Sequence, residues 1–181
     1  MARVPFVNRD ELAASDREVF DRIAASRGSP PGHIWRALLN APSLADKVLS
    51  IADELRHGVT LDRRYRELAV MMVGLVTQCR YEFDHHWNAA RKAGVSADQL
   101  AALAEFETSN LFDERERAVL RVAKEATERG PVSDVAWNEL CGLFDRRQAL
   151  EIVLTVAWYN TVVRILLPLD VEMEPNFRRV D

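Results

Sequence analysis

The chain has 181 residues, of which 48% are hydrophobic and 29% are charged, and its formal net charge is −4. This composition is that of an ordinary globular protein, long enough to bury roughly 70% of the surface of its unfolded chain. The slightly acidic charge offers no basic surface for nucleic acid, so we expect no nucleic-acid partner. Two cysteines, Cys79 and Cys141, are too few for a disulfide framework, and the first residues lack the apolar run of a secretory signal; both features predict a cytoplasmic protein.

Helix start and stop signals follow one another along the sequence, whereas alternating β-branched runs of the kind that form strands are not found. Serine and aspartate caps open the predicted helices, and glycine or proline closes them. The sequence therefore predicts one all-α domain over residues 1–181, a bundle of about eight or nine helices. The expected helices cover roughly 9–27, 32–40, 43–57, 62–78, 80–93, 97–106, 114–129, 134–143 and 146–166.

The last of these helices contains the most apolar segment of the chain, ALEIVLTVAWYNTVVRILLPL at residues 149–169. It carries Glu151, Asn160 and Arg164 along its length, and charges at membrane depth are costly. We therefore predict a buried core helix and no membrane partner.

The stretch QCRYEFDHH, residues 78–86, places many titratable groups directly after the apolar run ELAVMMVGLV. At 100° per residue, Cys79, Glu82 and His86 fall on one stripe of a helix. Glu67 opens the preceding apolar helix, so its carboxylate is expected to point to the interior, where it needs a partner.

A thiol enzyme is the first interpretation of this cluster. A reactive thiol pair needs a second cysteine one helical turn away to resolve the oxidised first thiol. The position one turn after Cys79 holds Glu82, and Cys141 lies in NELCGLF, a setting typical of an inert core thiol. A buried, structural Cys79 is the simpler interpretation.

Metal binding and acid–base catalysis are the other two interpretations. The Glu-x-x-His pattern at residues 82–85 matches half of a di-iron site, but no second copy exists, and we expect no metal. Glu67, Glu82 and His86 stay open as an alternative ligand set. A histidine between carboxylates can also move protons, since burial shifts both kinds of pKa towards neutrality. An ion-pair network that only fixes the helices is the structural alternative.

The strings RRYRELAVMMVGLVTQCRYEFDHHWNAARKAGVSADQLAAL, FDERERAVLRVAKEAT and VAWYNTVVRILLPLDVE resemble the carboxymuconolactone decarboxylase family of the AhpD-like superfamily, over about residues 30–174. The AhpD branch uses a glutamate followed by Cys-x-x-Cys-x-x-x-His. These positions correspond to Glu67, Cys79, Glu82 and His86, so a carboxylate stands where that branch has its second thiol.

The resemblance implies an AhpD-like helical bundle and a cofactor-independent lyase that removes CO2 from a small carboxylated lactone or related acid. His86 would donate a proton or polarise a carbonyl, Glu67 would orient it, and Glu82 would supply a second carboxylate. Candidates to line the substrate pocket are Tyr81, Asn160 and Arg164. The resemblance also implies a homo-oligomer. Alternatives are an alkylhydroperoxidase that uses Cys79 and a non-catalytic helical oligomer or small-ligand-binding module.

Overall fold

The computed structural model describes residues 2–180, which contain nine α-helices, four shorter helical turns and no strand. The prediction of an all-α bundle of about eight or nine helices is confirmed for these residues. The helices are α1 Arg17–Arg27, α2 His33–Leu38, α3 Pro42–Asp53, α4 Arg63–Val76, α5 Arg80–Lys92, α6 Ala97–Ala101, α7 Glu114–Glu128, α8 Asp134–Leu143 and α9 Arg146–Leu169. The shorter turns are 3-10 turns at Arg9–Glu11, Ala14–Asp16 and Leu103–Glu105 and a π-helical turn at Glu54–Gly58.

The N-terminal segment differs from the continuous helix predicted at residues 9–27. A capping box formed by Asn8 and Glu11 opens the first 3-10 turn, and Leu12 at its end takes an extended conformation with φ −82° and ψ 146°. This break places the Leu12 side chain in the core, 8% exposed. A regular helix therefore begins only at Arg17. Burial of one leucine outweighs continued helical hydrogen bonding here.

The chain divides into two compact units. One unit runs to Gly58 and includes Ile165–Phe177, and the other contains Val59–Arg164 and resumes at Arg178. The single domain expected over residues 1–181 stays a prediction. The core of the first unit consists of buried side chains from its N-terminal turns and from α1 to α3: Leu12, Phe20, Ile23, Leu39, Ala45 and Leu49.

In the second unit, α4 packs against both α5 and α7. Nine consecutive residues of α4, from Arg66 to Gly74, are buried. The turn into α5 is tight: Gln78 has a positive φ of 54°, and the Cys79 N–H donates to the Gly74 carbonyl at 3.0 Å. A Cβ at Gly74 would lie 3.2 Å from the backbone of Phe83. The glycine thus allows the close approach of α4 and α5 that positions the candidate site.

Helix α9 was predicted to be a buried core helix. Its inward side chains are buried, including Ile152, Thr155 and Val156, but Leu150 and Leu154 are 55% and 47% exposed. By length and composition the helix could also cross a membrane, and 33% of its most apolar stretch is buried inside the protein. The helix is therefore partly buried, with one apolar face towards the solvent.

Candidate functional site

The candidate site is built on two adjacent helices. Asp62 opens α4 by accepting a hydrogen bond from the Arg64 N–H at 2.7 Å. Glu67 follows in the first turns of α4 and is 3% exposed. Glu82 and His86 lie one turn apart on α5, as the 100° spacing predicts. The sequence correctly indicated that these three side chains meet.

His86 lies between the two carboxylates. Its Nδ1 donates a hydrogen bond to Oε2 of Glu67 at 2.7 Å. Its Nε2 lies 3.0 Å from Oε1 of Glu82. Both carboxylate side chains are at most 5% exposed, and the imidazole is 16% exposed. The three groups thus form a nearly buried chain of alternating charge.

The two contacts of His86 are unequal. The contact with Glu67 meets the geometry of a hydrogen bond, whereas Oε1 of Glu82 is buried without a hydrogen-bond partner in the part of the chain described. At 3.0 Å the imidazole is still an ion-pair partner for Glu82. We therefore treat the His86–Glu82 contact as a close but poorly directed ion pair, and the His86–Glu67 contact as the one that fixes the ring.

These contacts set the protonation states of the site. Burial alone would lower the pKa of His86, but the charges of Glu82 and Glu67, together with the hydrogen bond to Glu67, raise it to about 9. Burial raises the pKa of Glu67, but the charge and hydrogen bond of His86, together with those of Arg66, lower it to about 2. At neutral pH, His86 is therefore an imidazolium and Glu67 a carboxylate.

Sequence reasoning did not find three further groups at the site. Arg66 is 6% exposed and donates to Glu67 Oε1 at 3.2 Å, and the Arg63 guanidinium lies 3.7 Å from the same oxygen. The ring of Tyr159, on α9, meets the His86 ring edge to face, with centroids 4.8 Å apart. The position of Arg63 four residues before Glu67 was a readable signal for one of them. No local pattern connects Tyr159 with a residue of α5.

Cys79 lies at the N-terminal end of α5 and is 1% exposed. Burial raises the pKa of its thiol, the backbone N–H groups of Glu82 and Tyr81 lower it, and the charge of Glu82 raises it; the net shift is upward. A raised pKa and burial are the opposite of what a nucleophilic thiol requires. Cys141 is exposed rather than in the core, contrary to the sequence-based interpretation.

The three predicted pocket residues lie in different surroundings. Tyr81 is 8% exposed and packs on the ring of His85, with centroids 4.4 Å apart. The Asn160 amide donates to Thr127 Oγ1 at 2.9 Å and to a backbone carbonyl. Arg164 is exposed and donates to the Asn160 side chain at 2.7 Å. Their role in substrate binding stays a prediction.

No cluster of three or more potential ligands is arranged to hold a metal ion among residues 2–180. Of the pair in the Glu-x-x-His pattern, His85 packs on Tyr81 while Glu82 faces His86. The two members thus have different partners. The charged set Glu67, His86 and Glu82 is suited instead to storing and transferring a proton, because an imidazolium held by carboxylates can release its proton and be reloaded.

Comparison with known proteins gives a family match and several related folds. Residues 42–125 match the profile of the Carboxymuconolactone decarboxylase family. This range contains Glu67, Cys79, Glu82 and His86. No significant match was found among curated proteins.

Solved structures with the same fold share few identical residues with this chain. Debrominase Bmp8 in complex with 2,3,4-tribromopyrrole is 19% identical with a TM-score of 0.81, and the alignment covers 97% of this chain and 92% of that chain. A peroxidase-related protein with an alkylhydroperoxidase AhpD core, from Ralstonia eutropha JMP134, is 19% identical with a TM-score of 0.80, covering 96% and 93%. A peroxidase-related protein from Silicibacter sp. TM1040 is 16% identical with a TM-score of 0.80, covering 96% and 91%. At such identities the likeness establishes the fold.

Proposed function

We propose that this protein, whose residues 42–125 match the carboxymuconolactone decarboxylase family, is a cofactor-independent carboxy-lyase. Its substrate is a small carboxylated lactone or a related unsaturated acid. The observation that carries the proposal is the position of His86 between two buried carboxylates, both inside the family segment. Enzymes are the general expectation for this family.

The reaction needs a proton at carbon. When the bond to the carboxylate carbon breaks, CO2 leaves and the electron pair stays on the substrate as a dienolate. A proton must then be delivered to that carbon. The imidazolium of His86 is the donor in this proposal, because its pKa of about 9 keeps the ring loaded with a proton at neutral pH.

Each carboxylate has a separate part in this step. Glu67 holds Nδ1 through the 2.7 Å hydrogen bond, so the ring keeps its orientation while Nε2 loses a proton. Glu82 lies beside Nε2 and favours return of the proton from solvent after turnover, since its negative charge raises the pKa of the ring. Arg66 compensates the charge of Glu67 on the other side.

Substrate contacts, assembly and location extend the proposal. Tyr81, Asn160 and Arg164 are proposed to contact the small-molecule substrate. A cytoplasmic protein without nucleic-acid or membrane partners is proposed from the composition and the net charge of −4. A homo-oligomer is proposed as the working form, because α9 exposes Leu150 and Leu154. Light scattering that gives only a monomer would remove the oligomer from this proposal.

A thiol peroxidase that uses Cys79 is the second candidate. Its support is the shared fold with two peroxidase-related proteins. Against it stand the burial and raised pKa of Cys79, and Glu82 at the position where a resolving thiol would be needed. A non-catalytic ligand-binding module is the remaining alternative.

The test is CO2 release from a panel of carboxylated muconolactones and related β-keto and vinylogous acids. Wild type is compared with His86→Ala, Glu82→Gln and, as a control, Cys79→Ser, after circular dichroism has shown that each variant is folded. The proposal expects turnover in wild type and Cys79→Ser, with a loss of at least about a hundredfold in His86→Ala. CO2 release that persists in His86→Ala, or none from any acid, contradicts it. Peroxide consumption lost only in Cys79→Ser would establish the second candidate.

A further inference from the structure

Helix α5 carries a second set of contacts that the proposed reaction does not use. Glu82 and His86 point to the candidate site, whereas Phe83, Asp84, Trp87 and Asn88 contact the end of the chain, residues 178–180. The two faces belong to the same helix of 13 residues. Whatever holds the second face therefore affects the orientation of the first.

Three hydrogen bonds bind the backbone of this terminal segment. The Asn88 amide donates to the Arg178 carbonyl at 2.8 Å, and its oxygen accepts from the Val180 N–H at 2.8 Å. The Trp87 indole N–H donates to the Val180 carbonyl at 2.9 Å. One side-chain amide thus pairs with both a carbonyl and an N–H of the terminal segment, the pairing by which proteins bind peptide backbones.

The side chain of Arg179 lies between these hydrogen bonds. Its guanidinium is 4.6 Å from the centre of the Trp87 ring and 5.3 Å from that of Phe83, within the range of cation–π contacts. It also forms an ion pair with Asp84. The position combines a flat aromatic surface with a carboxylate, a combination that suits the planar guanidinium of arginine better than the ammonium of lysine.

Asp84 explains why this cation matters. Its side chain is only 8% exposed, and a buried carboxylate is costly unless it is paired. Its other ion-pair partner, Arg80, lies 3.3 Å away with a side chain that is 91% exposed. Arg179 is 42% exposed, so water screens its charge less than that of Arg80, and Arg179 is the more effective partner of the two.

We propose that residues 178–180 form a latch on α5, and that Arg179 is a positioning residue for Glu82 and His86. The path is short: Arg179 lies over the Phe83 ring, the Phe83 backbone packs closely against Gly74 of α4, and Glu82 is the adjacent residue. The catalytic meaning of this positioning rests on the proposed function, while the latch itself does not.

The test uses the full chain and two variants that release the latch by different means. Arg179→Gln removes the cation, and Asn88→Ala removes two hydrogen bonds without a change of charge. Arg146→Gln, at the exposed start of α9, is the matched charge control. The measurements are amide hydrogen exchange of α5 and NMR titration of the His86 ring, neither of which needs a substrate.

The latch predicts the same response from both variants. Exchange of α5 amides becomes at least about tenfold faster, because the helix opens more often. The pKa of His86 falls towards 6.5, because its contacts with Glu67 of α4 and Glu82 of α5 loosen. Removal of a positive charge alone would instead raise this pKa, so the direction separates positioning from simple electrostatics. Arg146→Gln should change neither quantity. Arg179→Lys keeps the positive charge and should therefore change the exchange rate and the His86 pKa less than Arg179→Gln does.

Unchanged exchange in both variants, or a rise of the His86 pKa in Arg179→Gln, overturns the latch. Wild-type protein that releases no CO2 but shows the predicted exchange and titration would refute the lyase and leave the latch standing.

Discussion

The Nδ1 atom of His86 on α5 donates a 2.7 Å hydrogen bond to Oε2 of Glu67 on α4. This contact gives the buried carboxylate of Glu67 a partner, and it is possible because Gly74 lets the two helices approach closely. It is at once a structural tie between two helices and the element that sets the charge of the site.

Loss of the imidazole should destabilise the fold. In His86→Ala, Glu67 keeps only Arg66 and Arg63 as charged partners, so we expect the free energy of unfolding to fall by about 2 to 4 kcal/mol. Urea denaturation measures the change. His57→Gln, on the exposed π-helical turn, should stay within about 0.5 kcal/mol of wild type. Equal effects of the two substitutions would mean that the ion pair contributes little.

The contribution of His86 should depend on pH. The pKa of His86 is raised to about 9 from 6.5, so its stabilisation is complete below pH 6.5 and is lost as the pH rises through 9. The pKa of Glu67 is lowered to about 2 from 4.5, so its stabilisation is present above pH 4.5 and is lost as the pH falls through 2. Because the His86–Glu67 ion pair contributes to both shifts, we do not add them, and we expect a contribution on the order of 3 kcal/mol.

The corresponding measurement is the difference in unfolding free energy between wild type and His86→Ala across this range. It should be largest between about pH 4.5 and 6.5 and shrink by pH 10. A difference that does not vary with pH would show that His86 stabilises the fold by packing alone.

The two thiols should differ in reactivity. Cys79 is buried with a raised pKa, whereas Cys141 is exposed, so we expect one fast-reacting thiol per native chain and two in urea. Titration with a chromogenic disulfide measures this. In Cys141→Ser the fast reaction should disappear. A fast thiol that survives in Cys141→Ser would identify Cys79 as reactive and favour the peroxidase alternative.

A side chain at Gly74 should strain the close approach of α4 and α5. In Gly74→Ala the new Cβ lies 3.2 Å from the Phe83 backbone, which must move, so we expect a loss of about 1 to 3 kcal/mol and a lower pKa of His86. Gly142→Ala is the matched control, because a Cβ there meets open space and should stabilise α8 by about 0.5 to 1 kcal/mol. Similar stability of the two variants would mean that α5 can move away from position 74 at little cost in free energy.

The sequence predicted much of the helical order and the proximity of Glu82 to His86 because both depend on local rules. Helical periodicity places Glu82 and His86 one turn apart, and an acidic residue in an apolar helix requires a partner. The resemblance to a known family is confirmed over residues 42–125. Helix formation and the one-turn spacing of Glu82 and His86 depend on residues close together in the sequence, so the helical backbone alone fixes them.

The remaining features depend on packing between distant residues. Tyr159 reaches His86 from a helix about seventy residues later, and Arg179 reaches Asp84 from the end of the chain. Leu12 interrupts a helical pattern because its extended backbone buries the leucine side chain in the core. Sequence periodicity alone does not say which elements pack together, and these contacts are therefore visible only in the structure.

The measurement that tests the account most directly is the NMR titration of the His86 ring in wild type and in Glu67→Gln. The account predicts a pKa of about 9 in wild type, a clear fall in Glu67→Gln, and an imidazolium at neutral pH in the free protein. A ring that titrates near 6.5 and is indifferent to Glu67→Gln would contradict it, because no loaded proton donor would then exist at the site.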